Sequence, residues 1–429
     1  MQRSECTAPV GRAALAARVA CLTALTARHA AAGTLDAVRA GPRQMPDVLG
    51  RRAAQLLCGL GPTYVKGGQL LSTRSDLLPP RVCTALGRLH DRVAPMTRAQ
   101  TDRALAEAYG PEPSARPFAV FDHRATASGS IACVHRAELA DGRRVAVKLR
   151  RPGIERRMRA DFALLRAGAL LVQRLPPLRK VPALRIVEEV GGAVLGQLDL
   201  EQEARSLAAL RANLAALPYF RLPAPVPEAC GPGALVMDFV EPLHRFRAGQ
   251  LDREQRRQVV QHVLQGVYRM LFIDGLVHCD MHPGNLYLAP DGVVVLLDAG
   301  FVIRLEPPVR RLFAEFFMNM SLGRGAECAD VVLRSAEHIP PGADLDAFRA
   351  GIVALVAATT GRRAGEFRLA PFATRLFDLQ RRSGIAAAPA FVFPLMSLLV
   401  LEGMINELDV DVDFQGEAIP TLLTALNTY

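Results

Sequence analysis

Asp280, Asn285 and Asp298 stand at spacings suited to phosphoryl transfer. The stretch from His278 reads His-Cys-Asp-Met-His-Pro-Gly-Asn, so an asparagine follows an aspartate by five residues. Thirteen residues beyond Asn285, behind the apolar run Val293-Val-Val-Leu-Leu297, comes Asp298, followed by Ala299 and Gly300. A loop and then a buried strand ending in aspartate can deliver two oxygen ligands to one Mg²⁺, leaving Asp280 to orient or deprotonate an attacking hydroxyl or water. The same stretch admits a zinc reading through His278, Cys279, Asp280 and His282. Histidines four apart suit zinc on a helix, and Pro283-Gly284 makes a loop instead.

Phosphate chemistry also needs a cation and a carboxylate to hold it. Only Lys66, Lys148 and Lys180 are lysines among the 52 Lys and Arg residues, which marks places where a compact ammonium is wanted. Lys148 ends the strand-like Val145-Ala-Val-Lys148, where burial is costly unless negative charge meets it. An edge-strand lysine reaching to water is the bland alternative. Glu188, Glu189, Asp199, Glu201 and Glu203 are the candidate partners, with Glu203 leading into the apolar positions Leu207 and Leu210. Upstream, the small-residue run Ala125 to Ser130, which contains Ala127, Ser128, Gly129 and Ser130, enters the first strand read here, where a loop must let its backbone approach phosphates. Lys66 and Gln69, three apart, share a helix face and could point into one site.

These groups need a scaffold of changing periodicity. The first thirty residues read as an Ala- and Leu-rich helix split by Arg18, neither a signal peptide nor a membrane span. Helical pattern resumes from about Met45 to Tyr109, broken by Gly59, Gly61, Pro62 and Pro79-Pro80. After the proline-punctuated Pro111 to Pro117, Ile131–Leu139 and Arg143–Arg150 alternate as strands joined at Asp141-Gly142. A helix is expected over Arg185 to Leu217, then a strand over Ala234–Val240 as hinge. A further helix over Leu251 to Gly275, capped by Asp252, runs into the Asp280 loop. The apolar run Phe391 to Leu401 contains Pro394 and is followed by Glu402, which reads as core.

Composition sets further bounds. A chain of 429 residues suggests two or three lobes, and eight singly placed cysteines with no Cys-x-x-Cys fit a reducing cytosol. The formal charge of +10 invites an anionic partner. Scattered basic residues, sparse aromatics and the absence of Trp argue against nucleic acid. Peripheral contact with an anionic membrane remains open beside the plainer reading of a solvated arginine-rich surface.

From Leu60 to Leu408 the chain resembles the UbiB family of atypical, protein-kinase-like proteins, the AarF-type kinases. Lys66-Gly67-Gly68-Gln69 matches that family's Lys-x-Gly-Gln motif within Leu60-Gly-Pro-Thr-Tyr-Val-Lys-Gly-Gly-Gln-Leu-Leu. Ala127-Ser-Gly-Ser-Ile-Ala132 matches its alanine-rich loop; Val134-His135 and Arg151-Pro-Gly-Ile154 complete the match. The resemblance implies an α+β, bilobal protein-kinase-like fold. It divides into a helical extension (1–115), a small lobe (116–240) and a mostly helical large lobe (241–429). It also implies ATP and Mg²⁺ as cofactors, with Lys148 on the α/β-phosphates, Glu203 holding that lysine, and Asn285 and Asp298 as metal ligands. The extension is expected over the active cleft, with Lys66, Gly68, Gln69, Gln197 and Asp199 as a regulatory motif. That argues for an ATPase or small-molecule kinase serving ubiquinone or other isoprenoid-lipid metabolism, in the cytoplasm or peripherally on the cytoplasmic membrane face.

The departures are specific. The family's Glu-x-Asp reads Gln197-Leu198-Asp199, leaving Asp199 to compensate for the charge partner that Lys66 loses. Cys133 stands for glutamine, Cys279 and Met281 for the loop's glycine and proline, and Ala299 for the phenylalanine of Asp-Phe-Gly. The C-terminal membrane helices frequent in the family are not expected here. None of these changes removes the base, the lysine or a metal ligand. Two rivals stand beside the main reading: a cytosolic small-molecule phosphotransferase of the antibiotic-modifying type, and a non-catalytic nucleotide-sensing scaffold.

Overall fold

In a computed structural model, residues 12–72, 80–87, 89, 93–174, 183–245, 251–282, 284–359, 368–408 and 412–428 are described. Lys180 and Pro283 lie outside them. Among the described residues, four α-helices precede the first strand: α1 (Arg12–Leu60), α2 (Pro62–Ser72), α3 (Pro80–Leu86) and α4 (Arg98–Tyr109). Residues 1–11 lie outside the described residues, and one long helix over residues 12–60 replaces the separate helical stretches expected there. It stops at Gly61, whose φ of 110° only glycine adopts freely, and Pro62 opens the next helix. Thr97 starts α4 through a capping box with Gln100.

Strands β1 (Phe118–Ser128), β2 (Ala132–Leu139) and β3 (Arg144–Arg150) follow, then helices α5 (Ile154–Val172), α6 (Ala183–Gly196) and α7 (Leu200–Leu214). Strands β4 (Phe220–Arg221) and β5 (Ala234–Asp238) come next, and β5 closes an antiparallel sheet of order β1-β2-β3-β5. Asp141 and Gly142 form the expected β2–β3 turn, with Gly142 at φ 82° and the Asp141 carboxylate accepting the Arg143 amide. Two expectations need correction. Ala125–Ser128 belongs to β1 rather than to a loop, so the β1–β2 turn is only 129–131. The helix expected over Arg185 to Leu217 is two helices, because Asp199 ends the break between them by capping α7.

The large lobe holds β6 (His244–Arg245), α8 (Arg253–Tyr268), a π-helical turn (Arg269–Asp274), β7 (Leu276–His278), β8 (Leu286–Leu288), β9 (Val294–Leu296) and β10 (Val302–Arg304). Helices α9 (Pro307–Ser321) and α10 (Gly325–Arg334), strand β11 (Ala336–His338), helices α11 (Leu345–Ala357) and α12 (Leu369–Ser383), strand β12 (Ala386–Ala387), and helices α13 (Pro389–Glu407) and α14 (Phe414–Thr428) complete it. Asp252 and Gln255 form a capping box that starts α8, and Gly275, left-handed at φ 67°, turns the chain into β7. Helix α13 is long and apolar enough to cross a membrane, but about two-thirds of it (67%) is buried in the protein. Glu402 on α13 is buried and accepts the Leu369 and Ala370 amides at 2.6 and 2.7 Å, capping α12 from a neighbouring helix.

Three apolar clusters organise this chain. The largest runs through the large lobe and reaches Leu207, Leu210 and Leu214 of α7. A second lies against the four-stranded sheet and includes Ala104 and Leu105 of α4, so that helix packs with the sheet. The third joins α5 and α6, with Leu70 and Leu71 of α2 packed against it. Helix α4 thereby covers the face of the sheet formed by Val145, Val147 and Leu149, opposite the face that carries Lys148, whereas α2 rests on α5 and α6.

Candidate active site

Lys148 sits near the end of β3, between Leu235 on β5 and Val134 on β2. Its Nζ lies 2.6 Å from Glu203 Oε1 and 2.6 Å from Asp298 Oδ2, so one ammonium bridges both lobes. Glu203 is the candidate that α7 buries, at 3% exposure. Glu188 and Glu189 instead pair with Arg166 and Arg185. Asp199 is exposed, and its carboxylate accepts the Gln202 amide. Burial alone would lower the Lys148 pKa, but the two carboxylates outweigh it and raise it. Burial pushes Glu203 up to about 7, aided by the Asp298 charge and opposed by Lys148. Asp298 is held well below the usual carboxylate range, since Lys148 and the Gly300 amide outweigh its burial.

The loop between β7 and β8 is fixed by His278. Its buried ring donates through Nε2 to the Asp298 carbonyl at 2.7 Å and accepts the Asp280 amide through Nδ1 at 3.2 Å. Burial lowers the His278 pKa, consistent with this neutral tautomer. Both ring nitrogens are engaged, which removes His278 from the zinc alternative. His282 accepts the Gly284 amide and lies 3.4 Å from Asp280. Burial would raise the Asp280 pKa, but His282 and then Lys66 outweigh it, leaving a stable carboxylate. Asn285 donates to the Asp280 carbonyl at 2.9 Å and is 9% exposed.

Asn285 and Asp298 supply hard oxygen donors, and no group of three or more His, Cys, Asp or Glu side chains could hold a metal among the described residues. Such a pair suits Mg²⁺ completed by phosphate oxygens and water, not a closed zinc site. Two features fit that use. Glu203 Oε2 is buried without a hydrogen-bond partner. Gly300 leaves room beside both carboxylates, where a Cβ would stand 3.1 Å from Asp298 Oδ1 and 3.3 Å from Glu203 Oε2.

On the extension, Lys66 is half-buried on α2 and close enough for its charge to act on Asp280 and His282. Gln69, expected to point with it, donates its amide to the Leu89 carbonyl at 3.3 Å. Gly68 lets α2 pack closely, since a Cβ there would meet Leu89 at 2.4 Å and Leu57 at 3.0 Å. Gln197 is half-buried in the break before α7.

The small-residue turn is placed differently from the expectation. The Ser128 hydroxyl donates to the Val93 carbonyl at 2.8 Å and accepts from Arg151 at 2.8 Å, so protein groups already occupy it. Ala127 is exposed and Ser130 buried, while the Gly129 amide closes the turn onto Ala132. Arg151, which carries the turn, was legible only as part of a motif. The departures are accounted for by packing. Cys133 is fully buried and donates to Ser128; Met281 and Ala299 enter the large-lobe core. Cys279 pairs its amide with the Phe301 carbonyl and its thiol with Val277, and burial raises its pKa far from thiolate chemistry.

This geometry meets independent similarity. Residues 88–331 match the ABC1 atypical kinase-like domain. The chain is 30% identical over 382 residues to the Probable protein kinase UbiB of Cronobacter sakazakii, covering 87% of this chain and 70% of that one. It is likewise 30% identical over 389 residues to the protein of that name from Aeromonas salmonicida, covering 89% and 71%. An uncharacterised Synechocystis protein is 30% identical over 321 residues, covering 72% of this chain and 78% of its own. Among solved structures, the Rv3197–erythromycin complex of Mycobacterium tuberculosis shares the fold, with a TM-score of 0.56 at 19% identity over 80% of this chain and 85% of that one. With the lysine, its carboxylates and the Asp280 loop already in kinase-like order, the chain belongs to the ABC1, or UbiB-type, family of atypical kinase-like proteins.

Proposed function

We propose that the cleft binds Mg-ATP and that the protein is an ATPase or phosphotransferase acting on water or on a hydroxylated small molecule or lipid. The observation that carries this reading is Lys148 held at 2.6 Å by both Glu203 and Asp298, a cation stored at the lobe junction beside two oxygen donors. Lys148 would bind the α/β-phosphates while Glu203 keeps it aimed. Asn285 and Asp298 would hold Mg²⁺, which when bound neutralises phosphate charge. Asp280, kept as a carboxylate, would orient the acceptor and take its proton. The reach of Lys66 toward Asp280 supports an extension that covers the acceptor side, which favours a small acceptor over a protein hydroxyl.

A role in ubiquinone or other isoprenoid-lipid metabolism rests on the family resemblance and on the relatives' UbiB name. The charge of +10 supports peripheral contact with anionic lipid at the cytoplasmic membrane face. Nucleotide titration with and without Mg²⁺ tests the site. Asp298→Asn is expected to abolish the metal-dependent part of binding, and unchanged binding would sink the assignment. ATP turnover measured with anionic vesicles and isoprenoid phenols tests the chemistry. It should rise above that of Asp280→Asn, and equality with this variant would turn the reading to a nucleotide-sensing scaffold.

A further inference from the structure

Arg151 follows the Lys148 strand by one residue and has no role in the scheme above. Its backbone amide donates to the Ile131 carbonyl at 2.8 Å, which places it under the β1–β2 turn. The guanidinium then makes three contacts on two segments. Nε donates to the Gly129 carbonyl at 2.9 Å, and Nη2 donates to the Ser128 hydroxyl and the Ala94 carbonyl, both at 2.8 Å. The Ser128 hydroxyl in turn donates to the Val93 carbonyl at 2.8 Å. Two consecutive carbonyls of the segment leading into α4 are thus tied to the β1–β2 turn. The planar fork of arginine can serve three acceptors on two segments at once, and a lysine ammonium cannot hold the same fixed geometry.

We infer that Arg151 is a positioning residue that sets the turn at 129–131 for nucleotide and couples its occupancy to the segment Val93–Thr97 through Ser128. This inference rests on the nucleotide reading of the cleft. Nucleotide that draws the turn toward the phosphates must then change how Val93 and Ala94 are held, and by linkage the state of that segment must change nucleotide affinity. The helices α1–α3 precede this segment, so the coupling gives the extension a route to the phosphate site other than Lys66.

The test is Mg-ATP titration of the full chain together with amide hydrogen exchange over residues 93–97, with and without nucleotide. Arg151→Gln is expected to weaken binding by about tenfold, within the usual span of coupling effects, and to erase the nucleotide-dependent change in exchange. Arg151→Lys should recover part of the affinity and little of the exchange change. Ser128→Ala, a milder change should Arg151→Gln fail to fold, should reduce the exchange change while leaving Arg151 on Gly129. Wild-type affinity and exchange response in Arg151→Gln would overturn the inference. So would a Ser128→Ala variant that loses affinity with its exchange response intact, since the hydroxyl would then serve phosphate directly. Asp298→Asn run alongside separates the two ideas: persistence of metal-dependent binding there defeats the nucleotide reading, whereas its loss with Arg151→Gln unaffected defeats only the positioning role.

Discussion

Glu203 carries an unusual electrostatic load, with one buried lysine shared between it and Asp298. Its folded pKa, pushed up to about 7 chiefly by burial, lies above the unfolded carboxylate value of about 4.3. The folded state therefore binds this proton more tightly than the unfolded chain. The stability that Glu203 contributes is fully present below about pH 4.3 and is lost as pH rises through about 7. Lys148 is raised and Asp298 lowered, so neither titrates inside this window. His278 has a lowered pKa and acts with the opposite sign, but it is common to both proteins being compared. Urea unfolding of wild type and Glu203→Gln across this range should give a stability difference that falls by a few kcal/mol and then levels off. Parallel curves would show that Glu203 does not titrate there. At this scale the sequence was legible for Lys148, Asp280, Asn285 and Asp298, because each belongs to a short run with fixed spacing. It was not legible for Ser128, whose hydroxyl is claimed by a carbonyl 35 residues away.

The elements were legible where local signals dominate. The Asp141-Gly142 turn and the Asp252 cap needed only neighbouring residues to act, and both formed. Helix α4 shows the opposite case. Prolines after it read as a boundary, yet Ala104 and Leu105 complete the core of the sheet beyond them. Close packing is equally hidden, since a helical glycine reads as weakness until its neighbour is known. A Cβ on Gly266 of α8 would stand 2.4 Å from the Phe220 ring, whereas one on exposed Gly192 of α6 meets nothing within 4 Å. Gly266→Ala should accordingly destabilise by about 1–3 kcal/mol through overpacking. Gly192→Ala should stabilise by up to about 1 kcal/mol through helix propensity. Denaturant midpoints measure both, and equal signs would refute the contrast. Because α8 leads through the π-helical turn into β7 and Asp280, the first change should also lower turnover.

Across the whole molecule, the extension is attached to the rest of the chain by a buried charge. Asp161 on α5 is fully buried and receives Arg18 of α1 in a two-pronged contact, at 2.7 and 2.9 Å, plus the Thr63 hydroxyl of α2 at 2.7 Å. Arg18 also donates to the Leu60 carbonyl, where α1 ends. Three helices therefore meet on one carboxylate, and α2 is the helix that brings Lys66 toward Asp280. The sequence showed Arg18 only as an interruption of an apolar run, because its partner lies 143 residues away. Removing one member of a buried pair strands the other, while replacing both with apolar residues of similar volume is often close to neutral. Arg18→Met is thus expected to cost about 3 kcal/mol, at the lower end for a buried pair because the Arg18 side chain keeps some contact with water. Adding Asp161→Leu to that variant should recover most of the loss, so a double-mutant cycle should show strong coupling. The same cycle read by hydrogen exchange places the effect. Arg18→Met should speed exchange in α2 more than in α9 of the large lobe, and the double variant should slow it again. Additive losses, or exchange that rises equally in both helices, would show that Asp161 supports general stability and does not hold the extension over the cleft.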